Sequence, residues 1–259
     1  MLIDIGANLT HKSFDKDLTN VINEAEKSGV KKIIITGADR DSNKQALKIC
    51  DEYPLSQLYV TAGCHPHYAK DFKSSDIKTI KDNINNPHLK AIGECGLDYF
   101  RNFSPRQKQI DCFKMFLELS CELQKPLFLH QRDSFDDFIK IIEPYLKDIP
   151  KYVVHCWTGA KDELEVLIKK DAYIGITGWV CDEKRGEHLH EQLKIIPNNR
   201  LMIETDSPYL TPKTLKNKNH RNVPANLPHI AKYIAKITNK TYDQICQQTT
   251  NTAINFFGL

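Results

Sequence analysis

Short apolar runs rich in Ile, Val, Tyr and Thr recur eight times along the chain, with helical patterns between them. The runs cover residues 2–5, 32–36, 58–62, 89–93, 126–129, 152–154, 172–176 and 201–203. Continuous runs of this length suit strands covered on both faces, as in a parallel sheet. Phe135, Phe138, Ile139 and Ile142 follow the spacing of an amphipathic helix. Ser104-Pro105-Arg106-Gln107 predicts a helix start, with a capping residue, a proline at the first helical position and a capping-box glutamine. Thr241 and Gln244 repeat the capping-box spacing before the last helix. No Gly/Ser/Pro-rich linker breaks the rhythm, so eight βα units favour closure over an open doubly wound sheet. The predicted class is α/β, a (β/α)8 TIM barrel forming one domain over residues 1–259.

The formal charge, 36 − 33 = +3, is too small for a non-specific nucleic-acid coat, so any attraction for a polyanion must be local. Eight cysteines are scattered without a C-x-x-C pair and sit mostly inside apolar patterns, which reads as free thiols in a reducing compartment. Residues 1–4 run straight into a charged strand, with neither a basic start nor a cleavage site. No apolar run approaches the roughly 20 residues needed to span a bilayer. A cytoplasmic monomer without a membrane partner or an organic cofactor is expected.

Chemistry-bearing residues follow nearly every run. Asp4 and Asn8 follow the first, His65 and His67 the third, and Glu94 and Asp98 the fourth. His130 and His155 follow the fifth and sixth, and Glu204 and Asp206 the eighth. A (β/α)8 barrel assembles its active site from the C-terminal ends of its strands. Glu94, His130, His155 and Asp206 are therefore expected to converge, and two imidazoles with two carboxylates make a sound divalent-metal set. Any one of them could instead be a satisfied structural group. Several at equivalent positions are harder to dismiss, because buried acids are rare unless paired or metal-bound.

Seven segments carry a family resemblance: Asp4-Ile-Gly-Ala-Asn8-Leu, Gly63-Cys-His-Pro-His67, Ile92-Gly-Glu-Cys-Gly-Leu-Asp98, Leu129-His130, Val154-His-Cys-Trp-Thr-Gly159, Gly175-Ile-Thr-Gly-Trp-Val-Cys-Asp182 and Ile203-Glu-Thr-Asp-Ser-Pro-Tyr209. In this order, over essentially the whole chain, they closely resemble the TatD family of metal-dependent deoxyribonucleases, and most closely its TatD subgroup. The resemblance implies a magnesium-dependent hydrolase of the amidohydrolase type with 3′→5′ exonuclease activity on DNA and RNA. Family members are linked to repair of oxidised DNA and to DNA fragmentation. It also implies Glu94, His130 and His155 as metal ligands, and Asp206 as a ligand or the catalytic base. Two departures stand out. Many relatives carry a His-x-His pair where this chain has Gly6 and Asn8, a replacement that the TatD subgroup shares and that bears on a second metal site. The family's Arg-Asn-Glu-Pro reads Arg221-Asn222-Val223-Pro224 here.

A phosphodiester resists hydrolysis because it is anionic and water is a poor nucleophile; a divalent ion addresses both problems. Asp206 is expected to take the proton of the attacking water. His65 either binds the phosphate, protonates the leaving oxygen, or acts only as a hydrogen-bonding neighbour. The resemblance implies Mg2+, as one or two ions, whereas the imidazoles by themselves suit Zn2+ or Mn2+ better. Lys184 and Arg185 follow the seventh run, and Lys213, Lys216, Lys218 and Arg221 follow the eighth, forming a local cationic rim. Arg132 and Arg221 are the preferred phosphate contacts, because guanidinium matches phosphate bidentately. Among Tyr99, Phe100, Trp157 and Trp179, the two tryptophans are the expected base-stacking residues. Two alternatives stay open: a hydrolase of a small ester, lactone or amide on the same barrel, and a nucleic-acid-binding protein with an inactive site.

Overall fold

The computed structural model describes residues 1–216 and 221–259; Lys218 of the expected cationic rim lies outside the described residues. Eight strands, β1 (Leu2–Ala7), β2 (Val30–Ile35), β3 (Gln57–Ala62), β4 (Leu89–Asp98), β5 (Leu127–Arg132), β6 (Tyr152–Val154), β7 (Tyr173–Ile176) and β8 (Leu201–Ile203), form one sheet in chain order. The helices described are α1 (Leu18–Lys27), α2 (Arg40–Glu52), α3 (Ser74–Asp82), α4 (Arg106–Leu123), α5 (Phe135–Ile142), α6 (Lys161–Lys169), α7 (His188–Leu193), α8 (Leu227–Thr238) and α9 (Tyr242–Phe257). This alternation is the (β/α)8 TIM-barrel fold that the eight runs predict.

The chain divides into two compact units. The first comprises Met1–Ile35, Tyr53–Leu58 and Cys156–Leu259. Here β1 pairs in parallel with β2, β7 pairs with β8, and Ala7 bridges to Ser207 just beyond β8. α9 lies against β1 and β8 and buries Ile245, Ala253, Phe256 and Phe257. Its predicted capping box is present: the Gln244 amide nitrogen donates to Thr241 Oγ1 at 3.1 Å, and Thr241 N donates to Gln244 Oε1 at 2.8 Å.

The second unit comprises Thr36–Glu52 and Tyr59–His155. It holds most of β3 and all of β4, β5 and β6, paired in parallel. α4 packs on β4, and Phe113 stacks on Phe138 of α5 with ring centroids 5.3 Å apart. β4 continues to Asp98 instead of ending near Gly93, because its ladder with β5 runs on through Gly96 opposite His130 and Asp98 opposite Arg132. That close approach demands glycine. Gly93 and Gly96 have φ of 136° and 139°, and a Cβ on either would collide with the Phe128 or His130 carbonyl oxygen. The start of α4 also differs from expectation. The Ser104 hydroxyl donates to the His67 carbonyl at 2.8 Å and accepts from Lys70 N at 3.1 Å, so it ties two loops together and caps no helix.

Candidate metal centre

Glu94, buried on β4, is the hub of the second unit. Its Oε1 lies 2.7 Å from Nε2 of His155, 3.0 Å from Nδ1 of His130 and 3.3 Å from Nε2 of His65. The ligand atoms of His65, Glu94 and His130 all fall within 4.8 Å of one another. β4 and β5 carry Glu94 and His130 side by side, while His65 and His155 follow the ends of β3 and β6. The structure thus brings together Glu94, His130 and His155, three of the four expected ligands, and places His65 beside them.

The electrostatics suit a cation. Burial by itself would raise the Glu94 carboxyl, but the histidines around it hold it well below the usual carboxylate range. Burial pushes His65 down to about 3, against the opposing pull of Glu94, so its imidazole is uncharged at neutral pH; Nδ1 accepts from the His67 amide at 3.1 Å, which leaves the ring hydrogen on Nε2 facing Glu94. An ionised carboxylate ringed by imidazoles is a donor set for a divalent ion.

A further layer surrounds the hub. Asp98 Oδ2 lies 3.3 Å from Nε2 of His130 and 2.9 Å from Nε2 of His67. Burial works to raise Asp98, but these histidines and the Arg101 amide, which donates to Oδ1 at 2.7 Å, hold it far below its ordinary value. The sequence marks Asp98 and His67 as chemistry-bearing residues after the fourth and third apolar runs without assigning either a place in the metal set. The available signal was spacing, since residues four apart on a strand share a face and Glu94 and Asp98 stand four apart. Gln109, fully buried on α4, clamps the loop after β4. It accepts from Asp98 N at 2.8 Å and donates to the carbonyls of Asp98 at 3.1 Å and Ser104 at 2.8 Å.

In the first unit, Asp206 follows β8 with φ of 52°, a left-handed conformation that aspartate tolerates better than most residues. Its Oδ1 accepts from Nδ2 of Asn8 at 2.9 Å. Asn8 thus holds the Asp206 carboxylate through its amide. Buried Glu204 accepts from the Cys156 amide at 2.6 Å. Buried Asp4 accepts from Thr205 N at 2.9 Å and Thr205 Oγ1 at 2.6 Å, and burial pushes it up to about 8.

The expected substrate contacts fare differently. Arg132 ends β5, with its guanidinium 4.9 Å from the centre of the Phe100 ring. Arg221 is not presented to a phosphate: its Nη1 and Nη2 grip Asp17 at 2.8 and 2.6 Å, and Nη1 also reaches the Ser13 carbonyl. Trp157 is a core residue, 1% exposed, and donates Nε1 to Gln192 Oε1 at 2.7 Å, so no face is open to a base. Trp179 sits in a single helical turn, Gly178–Cys181, with the Arg185 guanidinium 4.3 Å from its ring centre and Nε1 donating to the Arg185 carbonyl. Arg185 also pairs with Asp182 at 2.7 Å. Its contribution to the expected rim is therefore spent inside its own loop.

Fold and cluster together define a (β/α)8 barrel protein equipped to hold a divalent cation. The chain belongs to the TatD-related DNase family, whose profile matches residues 3–258. It is 43% identical over 260 positions to the 3′-5′ ssDNA/RNA exonuclease TatD of Rahnella sp., spanning 100% of this chain and 98% of that one. It is 39% identical to the protein of the same name from Erwinia amylovora, over 100% of both. Among solved structures, a TatD family hydrolase from Entamoeba histolytica aligns with a TM-score of 0.89 at 27% identity, over 99% of this chain and 97% of that one. A TatD homologue from Escherichia coli aligns with a TM-score of 0.91 at 21% identity, over 100% and 98%, and speaks to the fold alone.

Proposed function

We propose that this protein is a divalent-metal-dependent 3′→5′ exonuclease acting on single-stranded DNA and RNA. The observation that carries the reading is the Glu94 carboxylate met by three imidazoles, in a chain whose full-length relatives bear that activity in their names. Glu94, His130 and His155 are assigned to hold the cation, with Mg2+ as the physiological ion and Mn2+ as a substitute. When bound, such an ion lowers the pKa of a water and polarises a phosphoryl oxygen. Asp206 is assigned the proton of the attacking water, on the strength of the motif Ile203-Glu-Thr-Asp-Ser-Pro-Tyr209. The water oxygen bonds to phosphorus, the scissile P–O bond breaks, and the oxygen that leaves takes up the proton given up by the attacking water. His65 is assigned to the phosphate. The full length of residues 1–259 is read as one catalytic domain. Eight free thiols support a reducing compartment such as the cytoplasm, and no helix among the described residues is long and apolar enough to cross a membrane.

The test offers a fluorescent single-stranded oligonucleotide and a panel of activated esters to the wild type and to His155→Ala. Stepwise shortening from the 3′ end, abolished by EDTA, restored by Mg2+ or Mn2+ and lost in the variant, is expected. Turnover of the esters alone would replace the nuclease reading with that of a small-molecule hydrolase.

A further inference from the structure

The large aromatic side chains that stand in solvent in the second unit are Tyr68, Phe100 and Phe103. All three follow β3 or β4, the strands that lead to His65 and to Asp98. Phe103 is 56% exposed, yet its ring meets His67 edge-on with centroids 4.7 Å apart. His67 is bonded to Asp98, and Asp98 to His130, so Phe103 stands at the end of a short chain of contacts leading to the cluster. Phe100 is 57% exposed and lies under two guanidiniums, Arg132 at 4.9 Å and Arg101 at 5.8 Å.

These rings are not loose. The Gln109 clamp, the Arg101 amide on Asp98 and the Ser104 hydroxyl on the His67 carbonyl fix the backbone on both sides of Phe100 and Phe103. Apolar rings held out in water by a hydrogen-bonded loop do nothing for the core, and exposure of this kind marks a contact surface. Cations beside exposed aromatic rings match one ligand chemistry closely: a phosphate backbone bearing bases with an open face.

We propose that the loop between β4 and α4 is a nucleotide-binding platform, in which Phe103 stacks an unpaired base flanking the scissile phosphate and Arg132, braced on Phe100, contacts a neighbouring phosphate. The assignment rests on the nuclease reading above and names the part of the chain that grips the substrate. It also accounts for a single-strand preference. Bases inside a duplex have both faces covered by their neighbours, whereas an unpaired end offers a face to Phe103. The tryptophans expected to do this work are occupied within their own loops and core.

The test compares KM for two single-stranded oligonucleotides, identical except that one is abasic at its last two 3′ positions. With Mn2+, the wild type is expected to show a KM about tenfold lower for the base-bearing strand, the scale of one base–aromatic stack. Phe103→Leu should bring that ratio close to one, and Phe103→Trp should retain it, which separates loss of stacking from loss of fold. Arg132→Gln should reduce the salt slope of binding by about one. A wild-type ratio that persists in Phe103→Leu overturns the platform. So does a wild type that cuts both strands with equal KM, and that outcome leaves the nuclease reading standing. A wild type that cuts neither strand with any divalent metal removes the nuclease reading, and the platform with it.

Discussion

Asp98 Oδ2 lies 3.3 Å from Nε2 of His130, while the other nitrogen of that ring faces Glu94 at 3.0 Å. The imidazole is held at both ends by carboxylates from a single strand. Such an outer carboxylate fixes the ring's tautomer and its orientation toward a cation. Asp98→Asn should therefore lower metal-activated turnover about 10- to 100-fold and move the metal titration to higher concentration, with little effect on folding. Initial rates across a Mn2+ series, alongside a melting curve, provide the check. Wild-type rates and an unmoved midpoint would remove Asp98 from the site.

Arg221 makes a different case. Its fork on Asp17 is partly open to solvent, so after screening it contributes at most about 1 kcal/mol. Arg221→Ala should cost that much in urea denaturation and leave the salt dependence of oligonucleotide binding unaltered. A slope flattened by about one would return this residue to phosphate binding.

Trp157 tests core against substrate contact. Its indole is buried and bonded to Gln192, so Trp157→Ala should cost about 3–5 kcal/mol of stability. The enzyme that remains folded should keep a KM close to wild type. A raised KM with unchanged stability would restore the stacking role.

The Arg40–Asp76 pair carries a pH signature. Burial works to raise Asp76, but the Arg40 guanidinium at 2.7 Å and the Lys73 amide at 2.9 Å hold it below its ordinary value. A depressed folded-state pKa contributes stability above the unfolded value, near 3.9, that disappears as pH falls through the folded value. Asp76→Asn should thus be destabilised by about 1–2 kcal/mol at neutral pH and converge on the wild type in acid. Equal destabilisation at pH 7 and pH 3 would contradict the pairing.

The strands were legible because each is an apolar run, and the cluster of Glu94, His130 and His155 because each member follows such a run directly. The ends of β4 and β5 were not. Glu94, Gly96 and Asp98 interrupt the apolar pattern of β4 and residues 130–132 are polar, so hydropathy reads both stretches as loop although the ladder continues. Asp98 stood out as following an apolar run, but only its strand spacing from Glu94 points to a shared face. The fates of Arg221 and Trp157 depended on partners remote in sequence: Asp17 is 204 residues from Arg221, and Gln192 is 35 from Trp157. A guanidinium or an indole after a strand looks the same whether it awaits a substrate or has already been satisfied.

β4 acts as a ruler. Because side chains on a strand alternate sides with every residue, inserting or deleting one position between Glu94 and Asp98 would turn one carboxylate away from His130. The two glycines within and beside that interval leave no room for a compensating side chain against β5. Length changes in this protein should therefore be tolerated in its connecting loops and lethal to activity across these five residues.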